Sequence, residues 1–132
     1  MTRVLVVEDN PAIRELVSAY VKGAGHSVAT ASNGDEALET VAERGAPDIA
    51  VLDVAMPGMS GLDLLVKLRE LPGHAELPAI FLSASARETD IRRGHELGAA
   101  YLTKPFAAHA LLDAVDEAVT GRPQPSATEH AW

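Results

Sequence analysis

Residues 48–58 of the chain read Asp-Ile-Ala-Val-Leu-Asp-Val-Ala-Met-Pro-Gly, and the fold can be worked out from this stretch. Ile49 to Leu52 is an apolar run without polar alternation, which is typical of a parallel strand buried on both faces. Asp53 ends the run, and Pro57-Gly58 then predicts a turn. Because open α/β sheets bind ligands at the carboxyl ends of their strands, Asp53 is a candidate site residue. The alternative is that Asp53 only caps the segment that follows it.

The composition of the chain restricts its class. The chain has 132 residues and no Cys, which predicts a single domain of the reducing cytoplasm with neither disulfides nor a thiolate metal site. We find no signal-peptide pattern and no run of transmembrane length, so we expect no membrane contact. The formal net charge is −8 and aromatic residues make up 4% of the chain. This composition argues against direct contact of the domain with nucleic acid, through either phosphates or stacked bases.

Strand-like and helix-like segments alternate along the rest of the chain. The predicted strands are five apolar runs, at residues 3–7, 26–31, 49–52, 78–83 and 99–103. The predicted helices are the amphipathic segments that follow each strand, two of which begin after the capping residues Asn10 and Asn33. Their periodicity predicts that Leu16 and Val66 are among the residues that face the core.

This alternation predicts an α/β fold in which a five-stranded parallel sheet is covered by helices on both faces. Right-handed crossovers favour the strand order 2-1-3-4-5. We assign residues 1–121 to this domain. Residues 122–132 are rich in Pro, Ser and Thr without periodicity, and they are predicted to be a flexible tail or a truncated linker.

Polar residues stand at the ends of four predicted strands that meet at one edge of the sheet. They are Glu8 and Asp9, Asp53, Ser83, and Lys104. Two carboxylates about 5 Å apart repel by roughly 3 kcal/mol at an effective dielectric of 20. One lysine cannot neutralise three acids, so the set predicts a divalent cation, and ligands that are all oxygen suit Mg²⁺. The alternative is a solvated acidic edge with Lys104 in a salt bridge.

A carboxylate, a lysine, a hydroxyl and Mg²⁺ together indicate phosphoryl chemistry, which depends mainly on positioning and charge neutralisation. Asp53 lies on the central strand and is the candidate nucleophile that would form an aspartyl-phosphate. The predicted metal ligands are the strand-end acids and one backbone carbonyl, namely Glu8, Asp9, Asp53 and the carbonyl of Ala55. Lys104 and the Ser83 hydroxyl are predicted to contact the phosphoryl oxygens.

From about residue 3 to residue 120 the chain resembles a receiver domain of a two-component response regulator. Four motifs carry the resemblance: VEDN (7–10), LDVAMPGMSGLDLL (52–65), FLSA (81–84) and YLTKPF (101–106). The order and spacing of the four together are specific, whereas each alone is weak. The resemblance implies the flavodoxin-like fold, with Asp53 as phospho-acceptor and Glu8 and Asp9 as Mg²⁺ ligands.

The resemblance also implies roles for residues and partners around Asp53. Lys104 would contact the phosphoryl group, Ser83 would be the switching hydroxyl, and Tyr101 would be the aromatic residue that turns inward with it. The phosphodonor would be a sensor histidine kinase or a phosphotransfer protein. The face formed by the fourth helix, fifth strand and fifth helix would regulate an output partner.

Two positions depart from the family pattern. The approach to the fifth strand, Gly98-Ala99-Ala100-Tyr101, is one residue shorter than usual and lacks the acids often found there. Arg92 and Arg93 on the fourth helix could meet acids of the fifth helix in a second copy, but one side of the expected charge set is missing. We therefore expect a monomer. The second departure is the small Ala55, which bears on the lifetime of the phosphoryl group.

Two other functions remain open. The chain could be the receiver half of a DNA-binding transcriptional regulator. It could also be a haloacid-type phosphatase that works through an aspartyl-phosphate, but such an enzyme needs an acid two residues after the nucleophile. Because that residue is Ala55, we expect no enzyme beyond self-catalysed phosphoryl transfer and autodephosphorylation.

Overall fold

The computed structural model describes residues 2–84 and 87–120, so the predicted tail lies outside the described residues. The strands are β1 (Arg3–Val7), β2 (Ser27–Ala31), β3 (Ile49–Asp53), β4 (Ala79–Ser83) and β5 (Ala100–Thr103). The helices are α1 (Pro11–Gly23), α2 (Gly34–Arg44), α3 (Gly61–Arg69), α4 (Glu88–Glu96) and α5 (Ala108–Val119). All strand pairs are parallel, in the order β2-β1-β3-β4-β5. The predicted fold class and strand order are confirmed.

The three inner strands explain the absence of polar alternation in their sequences. Every residue of β1, β3 and β4 is buried, because helices cover both faces of the sheet. Val7 of β1 pairs with Leu52 of β3, and Asp53 pairs with Leu82 of β4. This register brings the residues that end the three strands to the same edge.

The sheet separates the apolar core into two clusters. One cluster includes Leu62 and Leu65 of α3, and the other includes Val17 of α1 together with Leu111 and Val115 of α5. Both layers are held to the sheet mainly by burial of aliphatic side chains, at roughly 1.5–3 kcal/mol for each fully buried one.

Two predicted inward residues lie on the surface. Leu16 of α1 is 46% exposed and Val66 of α3 is 36% exposed. The buried faces are instead centred on neighbouring residues, with Ser18 buried in α1 and Leu64 buried in α3. The prediction for Leu16 and Val66 is wrong because each lies at the margin of its helix's buried face, which extends to Ser18 in α1 and to Leu64 in α3 instead.

Side chains that accept hydrogen bonds from free backbone N–H groups begin three of the helices. Asn10 caps α1, Asn33 caps α2, and the Ser60 hydroxyl accepts from Asp63 N at the start of α3. Such caps satisfy donors that the first helical turn leaves without partners. They also fix where each helix begins relative to the strand end before it, which is where the functional residues lie.

A half-buried arginine at the opposite edge of the sheet links α3 to the loop before β4 and to the C-terminal end of α4. Arg69, the last residue of α3, donates from Nε and Nη2 to Leu77 O at 3.1 and 2.8 Å. Its Nη1 donates to the carbonyl oxygen of Leu97, the C-terminal capping residue of α4, at 2.6 Å. Burial lowers the pKa of Arg69 from its ordinary value. The cation is stabilised there by carbonyl dipoles, including those at the negative end of α4.

Candidate functional site

Asp53 ends the central strand and is 3% exposed. After Val54 the chain turns back toward the end of β3, because Gly61 N donates to Val54 O at 3.0 Å and α3 begins at Gly61. A Cβ on Gly61 would overlap the backbone oxygen of Asp53. Glycine at position 61 therefore allows α3 to start directly against the Asp53 peptide group, and Ala55 lies exposed in the loop between them.

Three carboxylates meet at this edge of the sheet. Oxygen atoms of Glu8, Asp9 and Asp53 all lie within 4.8 Å of one another. Glu8 is buried at 1% exposure, and its Oε2 accepts a hydrogen bond from Asn10 N at 3.1 Å. Asp9 is exposed and borders an open cleft of about 580 Å³ between α2 and the loop after β3. The acids predicted from the sequence are therefore brought together, with Asp9 on the solvent side.

Lys104 is the cation of the cluster. Its Nζ lies 2.6 Å from Glu8 Oε1 and 3.3 Å from Asp53 Oδ1. The backbone of Lys104 is fixed by its N–H, which donates to Ser83 O at 2.7 Å. Burial acts to lower the pKa of Lys104, but the hydrogen bond from Lys104 to Glu8 and the charges of Asp53 and Glu8 outweigh it and raise that pKa. Lys104 is therefore held as a cation between two carboxylates.

The pKa values of the buried Asp53 and the exposed Asp9 are shifted in opposite directions. Burial, a hydrogen bond with Glu8 and the charge of Glu8 raise the pKa of Asp53 to about 7. For Asp9 burial acts in the same sense, but hydrogen bonds with Glu8 and Asp53 outweigh it and lower the pKa. Of the two aspartates, Asp53 is therefore the one that holds a proton near neutral pH, because burial and the charge of Glu8 disfavour its charged form.

The chemistry of this donor set fits a divalent cation. Three carboxylates and one ammonium group leave two negative charges when all are ionised, and every candidate ligand atom is oxygen. Hard cations such as Mg²⁺ prefer such ligands, and Mg²⁺ keeps several waters, for which the exposed side of Asp9 leaves room.

Ser83 and Tyr101 lie on neighbouring strands, Ser83 at the end of β4 and Tyr101 within β5. Ser83 is fully buried at the end of β4. Tyr101 on β5 is half-buried, with its ring centroid 6.3 Å from that of Phe81. A Cβ on Gly94 of α4 would lie 3.1 Å from the Tyr101 ring, so the glycine allows α4 to approach this ring closely. The Tyr101 ring therefore lies near α4 and near Phe81 of β4, the strand that Ser83 ends.

One residue that contacts this site was missed by the sequence analysis. Arg14 of α1 donates from Nη1 to the backbone oxygen of Glu8 at 2.9 Å. Its position six residues after Glu8, in the second turn of a helix that follows the acids directly, was the available signal. A basic residue there can reach back to the strand end.

The sequence matches one family model, described as the response regulator receiver domain, over residues 4–116. Among curated proteins, it is 42% identical over 111 residues to the transcriptional regulatory protein DltR of Streptococcus agalactiae. That alignment covers 83% of this chain and 48% of DltR, so the chain spans about half the length of this relative.

Two solved structures are similar in fold and sequence. The chemotaxis protein CheY4 of Vibrio cholerae has a TM-score of 0.82 at 30% identity, covering 89% of this chain and 98% of CheY4. The response regulator TrrA of Thermotoga maritima, solved in complex with Mg²⁺-BeF, has a TM-score of 0.77 at 32% identity, with coverage of 89% and 98%. Within residues 2–84 and 87–120, the helices are all too short or too polar to cross a bilayer.

Proposed function

The chain belongs to the response regulator receiver domain family, a class of phosphorylation-controlled signalling module, and we propose that Asp53 is its phospho-acceptor. The observation that carries this proposal is the convergence of Asp53 with Glu8, Asp9 and Lys104 at the end of the central strand. In the proposed reaction an Asp53 carboxylate oxygen bonds to phosphorus while the bond between phosphorus and the donor's histidine nitrogen breaks. Lys104 is close enough to contact the oxygens of the new phosphoryl group.

We propose that Mg²⁺ is held by Asp9 and Asp53, with Glu8 and the backbone carbonyl of Ala55 as further ligands. The clustering of the three carboxylates supports this assignment. The bound ion would neutralise charge on the phosphoryl oxygens. Asp9 offers the carboxylate that solvent reaches most easily, whereas both Glu8 oxygens already accept hydrogen bonds, from Lys104 and from Asn10 N.

Ser83 and Tyr101 are proposed to relay the modification. A phosphoryl group adds about −1.5 to −2 charges near neutral pH, by analogy with other phosphorylated side chains. The Ser83 hydroxyl can then be drawn toward it as a donor. The packing of the Tyr101 ring near Phe81 and Gly94 supports a response of this ring to a movement of β4. The face formed by α4, β5 and α5 would present the change to an output partner.

The phosphodonor is proposed to be a sensor histidine kinase or a phosphotransfer protein, and the absence of Cys supports a cytoplasmic location. Turnover of an external substrate is not part of the proposal, because Ala55 provides no general acid two residues after Asp53. A second candidate function is the receiver half of a DNA-binding transcriptional regulator. It is favoured by the match to DltR, of which this chain covers about half.

Phosphoryl transfer from a small donor tests the assignment of Asp53. Wild-type protein treated with acetyl phosphate and Mg²⁺ is expected to gain one phosphoryl group, and Asp53→Asn is expected to gain none. Asp113→Asn, which changes an exposed aspartate of α5, is the matched control and should react like the wild type. Modification mapped by mass spectrometry to Ser83 or to a histidine would overturn the assignment.

A further inference from the structure

Arg14 holds the peptide group that joins Glu8 and Asp9, the two acids between β1 and α1. Its Nη1 donates to the carbonyl oxygen of Glu8 at 2.9 Å, and this carbonyl belongs to the Glu8–Asp9 peptide. The same turn is fixed on its strand side by Glu8 N, which donates to Ala31 O at 3.1 Å. The contact with Arg14 approaches this peptide from the side of α1.

A peptide group is planar, so the carbonyl oxygen of Glu8 and the Cα of Asp9 lie in one rigid plane. Fixing the oxygen consequently fixes the direction in which the Asp9 Cα leaves β1. The Asp9 side chain is exposed, and the side chains it contacts are Glu8 and Asp53, the other two acids of the cluster. The position of the Asp9 carboxylate thus depends on its backbone as well as on these contacts, and Arg14 restrains that backbone.

The stability of α1 alone does not account for an arginine at this position. Arg14 is the fourth residue of a helix that begins at Pro11, and a cation near the positive N-terminal end of a helix is not favoured by the helix dipole. Its half-buried guanidinium is instead directed to a strand-end carbonyl beside the acidic cluster.

We propose that Arg14 is a positioning residue for the phosphoryl-transfer site: by holding the Glu8–Asp9 peptide, it sets where the Asp9 carboxylate stands to receive a divalent cation. This inference rests on the proposed function. It assigns Arg14 no contact with the metal or with the phosphoryl group.

The direction in which Mg²⁺ affinity changes when Arg14 is replaced distinguishes a positioning role from two simpler ones, an effect of its charge and a purely structural effect. Loss of a nearby cation through charge alone strengthens the binding of a divalent cation. A purely structural role lowers the stability of the folded protein and leaves the affinity unchanged. Positioning predicts weaker binding, and hydrogen-bond partners that orient a metal ligand typically contribute about 10-fold or more to metal affinity.

The experiment is a titration with Mg²⁺ alone, followed by the amide resonances of Asp9 and Asp53. Arg14→Met is expected to weaken Mg²⁺ binding about 10-fold, and Arg14→Lys, which keeps the charge and one donating nitrogen, is expected to fall between it and the wild type. Lys22→Gln is the matched control, because it removes one positive charge from the same helix and the same groove. It is expected to bind Mg²⁺ within about twofold of the wild type, as an exposed charge distant from the ligands is screened.

A second readout needs no metal. In the metal-free protein, Arg14→Met should shift the amide resonances of Asp9 and Asn10 more than those of α5, because the Glu8–Asp9 peptide loses its restraint. Thermal unfolding monitors whether each variant is folded, and Arg14→Gln replaces Arg14→Met if the latter is not.

Unchanged or tighter Mg²⁺ binding by a folded Arg14→Met or Arg14→Gln protein would overturn the inference. Failure of the proposed function looks different, since the wild type itself would then neither bind Mg²⁺ nor be modified on Asp53. A wild type that does both, beside an Arg14 variant with wild-type affinity, refutes the role of Arg14 alone.

Discussion

Lys104 forms its shorter ion pair with Glu8, at 2.6 Å, and its longer one, at 3.3 Å, with the proposed acceptor Asp53. Glu8 is almost completely buried, so leaving its carboxylate without a cation would be more costly than leaving that of Asp53 without one. The ion pair between Lys104 and Asp53 is the longer and weaker of the two, which agrees with the raised pKa of Asp53. The lysine therefore stabilises the cluster before any phosphoryl group is present.

Replacing Lys104 with Met should destabilise the protein, because it leaves the buried Glu8 carboxylate without its cation. Removing one partner of a buried ion pair typically costs about 3 kcal/mol or more. We expect a decrease of that size in the free energy of unfolding, measured with urea at pH 7.5. The double variant Glu8→Gln/Lys104→Met should recover much of the loss. A single variant as stable as the wild type would contradict the importance of this pair.

The metal-free protein should become less stable as the pH rises from about 4 through 7. The pKa of Asp53 is raised to about 7 in the folded protein, and an unfolded aspartate titrates near 3.9. Between these values the folded state binds more protons than the unfolded state, so raising the pH favours unfolding. The contribution of Asp53 has an upper bound of roughly 4 kcal/mol, and it is fully lost above pH 7.

Asp53→Asn tests this dependence directly. The variant cannot ionise at position 53, so its stability relative to the wild type should be greater at pH 8 than at pH 5. Urea unfolding at the two pH values, without metal, measures the difference. If the wild type and Asp53→Asn respond equally to pH, another group is responsible for the pH dependence.

Gly61→Ala should be strongly destabilising. A Cβ at this position would overlap the backbone oxygen of Asp53, and the atoms that must give way belong to the backbone of the central strand. We expect a loss of about 1–3 kcal/mol or more, a size that is usual for overpacking and strain in a core. Gly23→Ala is the control, since a Cβ there meets no atom within 4 Å, and it should be neutral or stabilising. Equal thermal stability of the two variants would show that α3 can move away from Asp53 without penalty.

The activated domain should remain monomeric. Arg92 pairs with Glu88 of the same helix at 3.1 Å, and Arg93 pairs with Asp63 of α3 at 3.0 Å. Both cations that could have met the acids of α5 in a second copy thus already have partners within the chain. Light scattering of the beryllofluoride-activated protein at micromolar concentration should give the mass of one chain, with Asp53→Asn as the control. A stable twofold dimer through α4 and α5 would contradict this expectation.

The sequence was most informative at positions where an apolar run ends at a charged residue. Glu8, Asp53 and Lys104 each end an apolar run, so their position at the sheet edge followed from strand length and parallel topology. The inward faces of the helices were less predictable. Ser18 is buried and Leu16 is exposed because packing against the sheet, rather than apolar periodicity alone, sets the rotation of α1.

The backbone partners of two arginines could not be predicted for a different reason, although the position of Arg14 after the acids was a signal that a basic residue could reach them. Arg14 and Arg69 bond to backbone carbonyl groups, at Glu8, Leu77 and Leu97. Every residue has a backbone carbonyl group, so the amino-acid sequence does not indicate which of these groups an arginine will contact. A sequence pattern can pair an arginine with an acid, but only the folded backbone shows which carbonyl oxygens are within its reach.

The hydrogen bond from Arg69 to Leu97 has a mechanical consequence for α4. Any rotation of the helix that preserves this bond must pivot at its C-terminal end, on the side of the sheet remote from Asp53. With nine residues, α4 is a lever arm about 13 Å long. A rotation of about 10° therefore moves its N-terminal end by roughly 2 Å while Leu97 stays in place. The largest displacement falls at the end of α4 that follows Ser83 in the chain.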